Sequence, residues 1–213
     1  MDDLTLYLPG ILLAYGVVLV GLSSPGPNVL AIMGTSMSAG RRSGLALGVG
    51  VAFGSLCWGT LTVLGLSAVL AAYAPALTII KIGGGLYLLW LAYKAFKASA
   101  ADADTTAKTL EGGKRTAWGY ALRGLMIQMT NPKALLAWIA TVSLGLQQGA
   151  PFWVGAAIVL GAFVMSIAFQ TFYALAFSTP LAVKAYAKGR RYIQAALGGM
   201  FAFAGVKLLL SRN

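Results

Sequence analysis

Two short motifs place helix-breaking and hydrogen-bonding residues inside stretches that are otherwise apolar. The first, SPGPN, runs from Ser24 to Asn28, and the second, NPK, runs from Asn131 to Lys133. In each motif a polar residue can cap a helix and a proline can occupy its first position, so we expect a helix to begin there. A helix N-terminus presents free N–H groups and about half a positive charge, which attract an anion such as a carboxylate. The motifs therefore predict a binding site formed by Ser24, Pro25, Gly26, Pro27, Asn28, Asn131, Pro132 and Lys133.

The composition indicates a protein that spans a membrane several times. The chain has 213 residues, of which 59% are hydrophobic and only 10% charged, and its mean hydropathy is +0.80. An ordinary soluble domain is about one quarter charged, so this much apolar surface requires lipid around it. The acidic start, with Asp2 and Asp3, lacks the basic region of a signal peptide, so we expect the first apolar run to remain in the mature protein.

Charge and residue usage argue against several classes of function. The net charge of +11 comes from Lys and Arg in short linkers between apolar runs, which is typical of membrane topology and argues against a nucleic-acid partner. The chain has no histidine, a single cysteine (Cys57) and five acids that all lie outside the predicted spans. We therefore predict no metal site, no cofactor and no enzymatic activity.

Charged residues and helix breakers divide the chain into six predicted spans, because a charge is costly at the centre of a bilayer and a span needs about 20 apolar residues. Helices 1 and 4 are predicted to be interrupted, by SSPGPN and by TNPK. Most Lys and Arg fall in the linkers that follow helices 1, 3 and 5, which places these linkers in the cytoplasm and both termini outside it. The predicted all-α layout comprises helix 1 at residues 4–40, helix 2 at Gly44–Leu70, helix 3 at Ala76–Phe96, helix 4 at Trp118–Gly145, helix 5 at Phe152–Phe177 and helix 6 at Tyr192–Leu210.

The second half of the sequence resembles the first. IGGGLYLLWLAYKAF in helix 3 and ALGGMFAFAGVKLLL in helix 6 share paired glycines, an apolar and aromatic run and a lysine. This similarity predicts two inverted three-helix repeats, residues 1–98 and 116–213, joined by a cytoplasmic linker at residues 99–115. Such repeats with interrupted helices place a binding site near the midplane and permit alternating access by rocking. The alternatives are that glycine-rich helices resemble each other through composition alone, and that each proline only kinks its helix.

Lys133 adds a charge to the predicted site. Gln147 lies 14 residues further along the chain, a rise of about 21 Å in a helix, so the ammonium group cannot easily reach the outer interface. We expect a counter-ion for a carboxylate or a proton carrier, the alternative being a structural lysine bonded to helix-end carbonyls. Since the spans hold no acid, a cationic group would have to be met by aromatic faces, by carbonyls or by amide oxygens, which favours a zwitterion with a neutral side chain. The candidate amides are those of Asn28, Gln128, Asn131 and Gln170. Secondary candidates are Ser55, Gln128, Gln170 and Lys81, whose long side chain could instead reach the outer interface.

Four motifs resemble the LysE/RhtB family of amino-acid exporters, and the resemblance covers nearly the whole chain. They are SPGPN in helix 1, the glycine-rich helix 2 after GRRSG, KIGGGLYLLWLAYKAF in helix 3 and NPKA in helix 4. The resemblance implies secondary active efflux of amino acids or close derivatives across a bacterial inner membrane, typically driven by proton exchange. It assigns to the transport core Pro25, Gly26, Pro27, Asn28, Asn131, Pro132 and Lys133.

One position departs from the family pattern, since Ser55, after Gly54, stands where many members carry an acid. The resemblance therefore leaves the coupling ion open. The expected partners are a small-molecule substrate, namely a neutral or small amino acid or a derivative of one, and the lipid bilayer. The sequence is compatible with a homodimer. The alternative function is export of an ion, a metal or another small solute by a member of the same superfamily.

Overall fold

The structure is a computed structural model that describes residues 3–24, 26–72, 76–100, 115–147 and 149–210. Within these ranges every regular element is an α-helix and no strand occurs. The eight helices are α1 (Asp3–Ser23), α2 (Pro27–Ala39), α3 (Arg41–Ala72), α4 (Ala76–Ala100), α5 (Ala117–Met129), α6 (Pro132–Gly145), α7 (Phe152–Ala176) and α8 (Pro180–Leu210).

Four helical segments in the described part of the chain are long and apolar enough to cross a membrane: Thr5–Ser23, Arg41–Gly65, Phe152–Ala176 and Lys188–Leu210. Helix α6 is apolar but shorter. The break divides predicted helix 4 into α5, with 13 residues, and α6, with 14. The chain is therefore a multi-pass membrane protein, and the six-span layout stays a prediction.

Both predicted helix interruptions are present. Helix α1 ends at Ser23 and α2 begins at Pro27, while α5 ends at Met129 and α6 begins at Pro132. Proline at the start of α2 and α6 loses no hydrogen bond, because the first N–H groups of a helix have no partner within it. The two motifs thus divide what would otherwise be two long apolar helices.

Three helix boundaries differ from the sequence prediction. Helix α8 begins at Pro180 rather than near Tyr192, because residues 181–191 are rich in Ala, Lys and Arg, which favour helix. Likewise α3 begins at Arg41 and α4 continues to Ala100. In each case charged residues end the apolar stretch without ending the helix, so the boundary of a span is not the boundary of a helix.

Close contacts at glycines join helices from opposite halves of the chain. Helix α3 lies against α5 so tightly that a side chain at Gly50 would collide with the carbonyl oxygen of Ala121. Helices α4 and α8 run antiparallel, and a Cβ at Gly205 would lie 3.0 Å from the carbonyl oxygen of Gly85. Small residues at such contacts allow membrane helices to approach closely, which increases their van der Waals contact.

The two broken helices cross each other in opposite directions. At one end Gly10 of α1 packs on Gly145 of α6, where a Cβ at Gly145 would lie 3.2 Å from the carbonyl oxygen of Gly10. The two breaks meet further along, where Asn28 at the start of α2 lies beside Gln128 near the end of α5 and beside Asn131. Three clusters of buried apolar side chains hold all four half-helices against α3, α4, α7 and α8.

Candidate functional site

The first break exposes the N-terminus of α2. Its N-cap is Gly26, with φ −126° and ψ −173°, and the described residues supply no side-chain hydrogen bond to this cap. The expectation that a polar side chain caps α2 was therefore wrong, because glycine can adopt the extended N-cap conformation without supplying an acceptor. The first N–H groups of α2 are left for another acceptor.

The second break begins with one of the two caps that the sequence offers, Thr130 and Asn131. Asn131 is the N-cap of α6, and its Oδ1 accepts a hydrogen bond from the backbone N–H of Lys133 at 3.0 Å. The Asn131 carbonyl oxygen also accepts from the N–H of Ala134 at 2.9 Å. One residue thus fixes the first turn of α6 and the direction in which the lysine leaves it.

Side chains join the two breaks to each other. The Lys133 Nζ donates a hydrogen bond to Ser24 Oγ at 3.1 Å. Asn131 Nδ2 donates to Asn28 Oδ1 at 3.5 Å, and Asn28 Nδ2 in turn donates to Gln128 Oε1. The structure therefore brings together five of the residues singled out in the sequence, although the two motifs are separated by about a hundred positions.

Aromatic side chains satisfy backbone carbonyls where the first half of each broken helix ends. Tyr173 Oη donates to the carbonyl oxygen of Leu22 at 2.9 Å, in the last turn of α1. Trp58 Nε1 donates to the carbonyl oxygen of Gln128 at 3.2 Å, in the last turn of α5. Carbonyls in a last turn have no partner within their helix, and in hydrocarbon such a group is costly. The Gln128 carbonyl oxygen also accepts from the N–H of Asn131 at 3.2 Å, so the dependence on an aromatic donor is greater for Leu22. These two side chains therefore stabilise the breaks.

A central cavity of about 100 Å³ lies beside both breaks. It is bounded by α1, α2, α3, α5, α6 and α7, and Lys133 is the one charged residue among its described lining residues. Trp138 Nε1 donates to Ser55 Oγ at 3.1 Å in the wall. The polar lining residues are Ser24, Asn28, Ser55, Gln128, Asn131, Lys133, Thr141, Ser166 and Gln170.

A second space, the lateral cavity, has a volume of about 380 Å³ and lies between the breaks and α4. Four residues line both cavities, so the motifs form the partition between them: Ser24, Gly26, Asn131 and Lys133. On the far side of the lateral cavity, Lys94 Nζ lies 4.4 Å from the centroid of the Trp90 ring. Tyr87 Oη donates to the carbonyl oxygen of Lys133 at 3.1 Å and so fixes the partition to α4.

The remaining predicted residues have different positions. Pro27 and Pro132 line the lateral cavity, whereas the secondary candidates Ser55, Gln128 and Gln170 line the central one. Pro25 and the side chain of Lys81 lie outside the described residues. Sequence reasoning did not find Ser166 or the aromatic donors. Ser166 could have been found, since it precedes Gln170 by one helical turn and shares its face.

The chain is similar to a bacterial membrane protein and to two efflux proteins. It is 28% identical to the uncharacterized membrane protein YahN of Escherichia coli K12, over 98% of this chain and 93% of the relative. It is 30% identical to a threonine efflux protein of Salmonella typhi, over 91% and 94%. It is 29% identical to a leucine efflux protein of Enterobacter sp. strain 638, over 60% and 57%. No solved structure matches the chain.

The resemblance seen in the motifs extends along the chain. Residues 19–212, which begin near the end of α1 and include all of α2 to α8, match the family model described as LysE type translocator. This range includes both breaks, the partition between the cavities and the glycine contacts of α3 with α5 and of α4 with α8. The chain therefore belongs to the LysE family of translocators.

Proposed function

We propose that this protein is a secondary active exporter of small, neutral amino acids or their derivatives across the bacterial inner membrane. The observation that carries the proposal is the meeting of two interrupted helices at a cavity whose described lining holds a single charge, on Lys133. The names of similar proteins, a threonine efflux protein and a leucine efflux protein, support amino-acid export. In this proposal the protein is a carrier and not an enzyme.

The breaks would lie near the middle of the bilayer. Helix α5 has 13 residues, so its start is about 20 Å from the break along the helix. In the other direction Lys133 is followed by a helix that ends at Gly145, about 18 Å away. With a hydrocarbon core of about 30 Å, both distances favour a site well inside the membrane.

The substrate carboxylate would bind at the partition between the two cavities. Lys133 supplies a positive charge there, and its ammonium group is held by a neutral serine hydroxyl, at 3.1 Å, that a carboxylate could replace. The uncapped N-terminus of α2 adds N–H donors beside it. The lateral cavity would be the route from the cytoplasm, because Lys94 and Ala98 lie on the last turns of α4, at its predicted cytoplasmic end.

Two inverted three-helix repeats, residues 1–98 and 116–213, would relate the two breaks by symmetry, so that the site between them could open to either side of the membrane. Corresponding contacts support the repeat: α7 gives Tyr173 to the end of α1, and α3 gives Trp58 to the end of α5. Helix α7, which is predicted helix 5, thus donates a hydrogen bond to the break in predicted helix 1. Helix α3, which is predicted helix 2, does the same for the break in predicted helix 4. Both termini would then lie outside the cytoplasm, with the 99–115 linker inside.

Neutral substrates fit the lining better than basic ones. No acid is found among the described residues that line the central cavity, so a second ammonium group would have no partner of opposite charge. A metal ion is a weaker candidate, because the described residues include no cluster of three His, Cys, Asp or Glu. Export of another small anion or zwitterion is the alternative that the lining leaves open.

Efflux from proteoliposomes tests the proposal. Vesicles containing the protein are loaded with labelled L-alanine, L-threonine, L-leucine or L-lysine, and we expect release of at least one neutral amino acid in preference to lysine. Lys133→Gln should reduce that release by about tenfold or more, because a hydrogen bond to a charged group is lost. The matched control is Lys207→Gln, which removes a lysine from α8 that does not line the central cavity. Release of none of the neutral amino acids, or equal loss in both variants, would overturn the proposal.

A further inference from the structure

Two buried polar atoms in α7 have no hydrogen-bond partner among the described residues, Ser166 Oγ and Gln170 Oε1. The two residues are only 1% and 4% exposed, and both line the central cavity. A buried polar group without a partner is unfavourable and rare in native structures, so it requires an explanation. A ligand in the cavity would supply the missing hydrogen bonds.

The position of these side chains is fixed by packing. They are one helical turn apart on the same face of α7. A Cβ at Gly48 of α3 would lie 3.0 Å from Gln170 Cβ, so α3 confines the stem of the glutamine on that side. The amide and the hydroxyl therefore form one preformed polar surface in the cavity wall.

The chemistry of this surface complements the chemistry of the partition. An amide oxygen and a hydroxyl oxygen accept hydrogen bonds from a cation without adding a charge, whereas Lys133 supplies positive charge to the same cavity. A zwitterion needs both kinds of partner, and a simple carboxylate would leave the two acceptors in α7 unpaired. A site with buried acceptors rejects a ligand that lacks the matching donor.

We propose that Ser166 and Gln170 form the subsite for the α-ammonium group of a neutral amino acid whose carboxylate binds at Lys133. This inference rests on the proposed function and deepens it, since it separates amino acids from carboxylic acids of the same size. The aliphatic part of the substrate would then contact the apolar lining, which includes Val18, Leu22 and Ala137.

Paired ligands that differ only in the amino group test the subsite. The pairs are L-alanine with propionate and L-leucine with 4-methylpentanoate, each measured for binding to the purified full-length chain. We expect the amino acid of at least one pair to bind at least about tenfold more tightly than its partner in the wild type. Ser166→Ala and Gln170→Leu should each remove about tenfold of amino-acid affinity while the affinity for the simple acid stays within about twofold.

A matched control separates this effect from general damage to the protein. Ser36 in α2 also carries a buried hydroxyl without a partner among the described residues, but it does not line the central cavity. Ser36→Ala should therefore leave amino-acid binding unchanged. Gln170→Glu should gain affinity for L-alaninamide, which has an ammonium group and no carboxylate, and a gain cannot come from misfolding.

The outcomes distinguish the inference from the proposed function. If the wild type binds and releases no amino acid, both are overturned. If it releases amino acids but binds each amino acid and its simple acid equally, only the ammonium subsite is overturned. The same holds if Ser166→Ala and Gln170→Leu keep the wild-type discrimination, or if Ser36→Ala reduces binding as much as they do.

Discussion

Replacement of Tyr173 by phenylalanine should destabilise the protein through a single lost hydrogen bond. The Tyr173 hydroxyl satisfies the carbonyl of Leu22 at 2.9 Å, where α1 ends at the break. Phenylalanine preserves the ring, which is stacked on Phe177 with centroids 5.9 Å apart, so the apolar packing stays. The change leaves one partly buried carbonyl in a last helical turn without that donor.

The expected cost is about 1.5 kcal/mol, within the range for a buried group left unsatisfied and near the upper end for interhelical hydrogen bonds in membranes. This cost lowers the equilibrium constant for folding by about tenfold. Equilibrium unfolding of the purified protein in mixed detergent micelles, followed by circular dichroism, would measure the difference.

Tyr15→Phe is the matched control. Tyr15 Oη donates to the carbonyl oxygen of Ala157 at 2.7 Å, but that carbonyl lies within the regular helix α7 and keeps its helical partner. Its loss should cost about 0.5 kcal/mol, the lower end for a net hydrogen bond. Equal costs for the two substitutions, or no cost for Tyr173→Phe, would refute the idea that helix-end carbonyls at the break depend on aromatic donors.

Two further predictions concern packing and topology. Gly50→Ala should destabilise the protein or prevent its folding, because the added methyl group would collide with the carbonyl oxygen of Ala121; Gly65→Ala, which meets no atom within 4 Å, should be tolerated, as thermal unfolding would show. Reporter fusions after Ala100 should give a cytoplasmic signal and fusions after Gly149 an external one, and the opposite pattern would contradict the predicted orientation.

The helix breaks could be predicted because they depend on local residue types. Proline, glycine and asparagine favour helix starts wherever they occur, so the start of α6 at Pro132 followed from the motif. Its cap was limited to Thr130 or Asn131, and the structure has Asn131. The cap of α2 did not follow, because two serines, a glycine and two prolines offer several local solutions. Packing decides among them, and Ser24 lies beside Lys133 instead.

The partners of the breaks could not be predicted because they come from distant parts of the chain. Tyr173 and Leu22 are 151 positions apart, and nothing in the residue types near either one indicates the other. The start of α8 was missed for a different reason, since the sequence was divided by charge and charge marks the membrane boundary. A helix continues through that boundary when its residues favour it, as Lys184 and Arg190 do.

The glycine contacts determine which parts of the protein can move against each other. The tight pairs, α3 with α5 and α4 with α8, each join one helix from the first half of the chain to one from the second. A rotation of one half as a rigid body against the other would have to open both contacts, which is unfavourable for closely packed helices. We therefore expect the mobile units to be these mixed pairs, which would slide past each other where the two breaks meet. There the side-chain hydrogen bonds from Lys133 to Ser24 and from Asn131 to Asn28 can exchange partners.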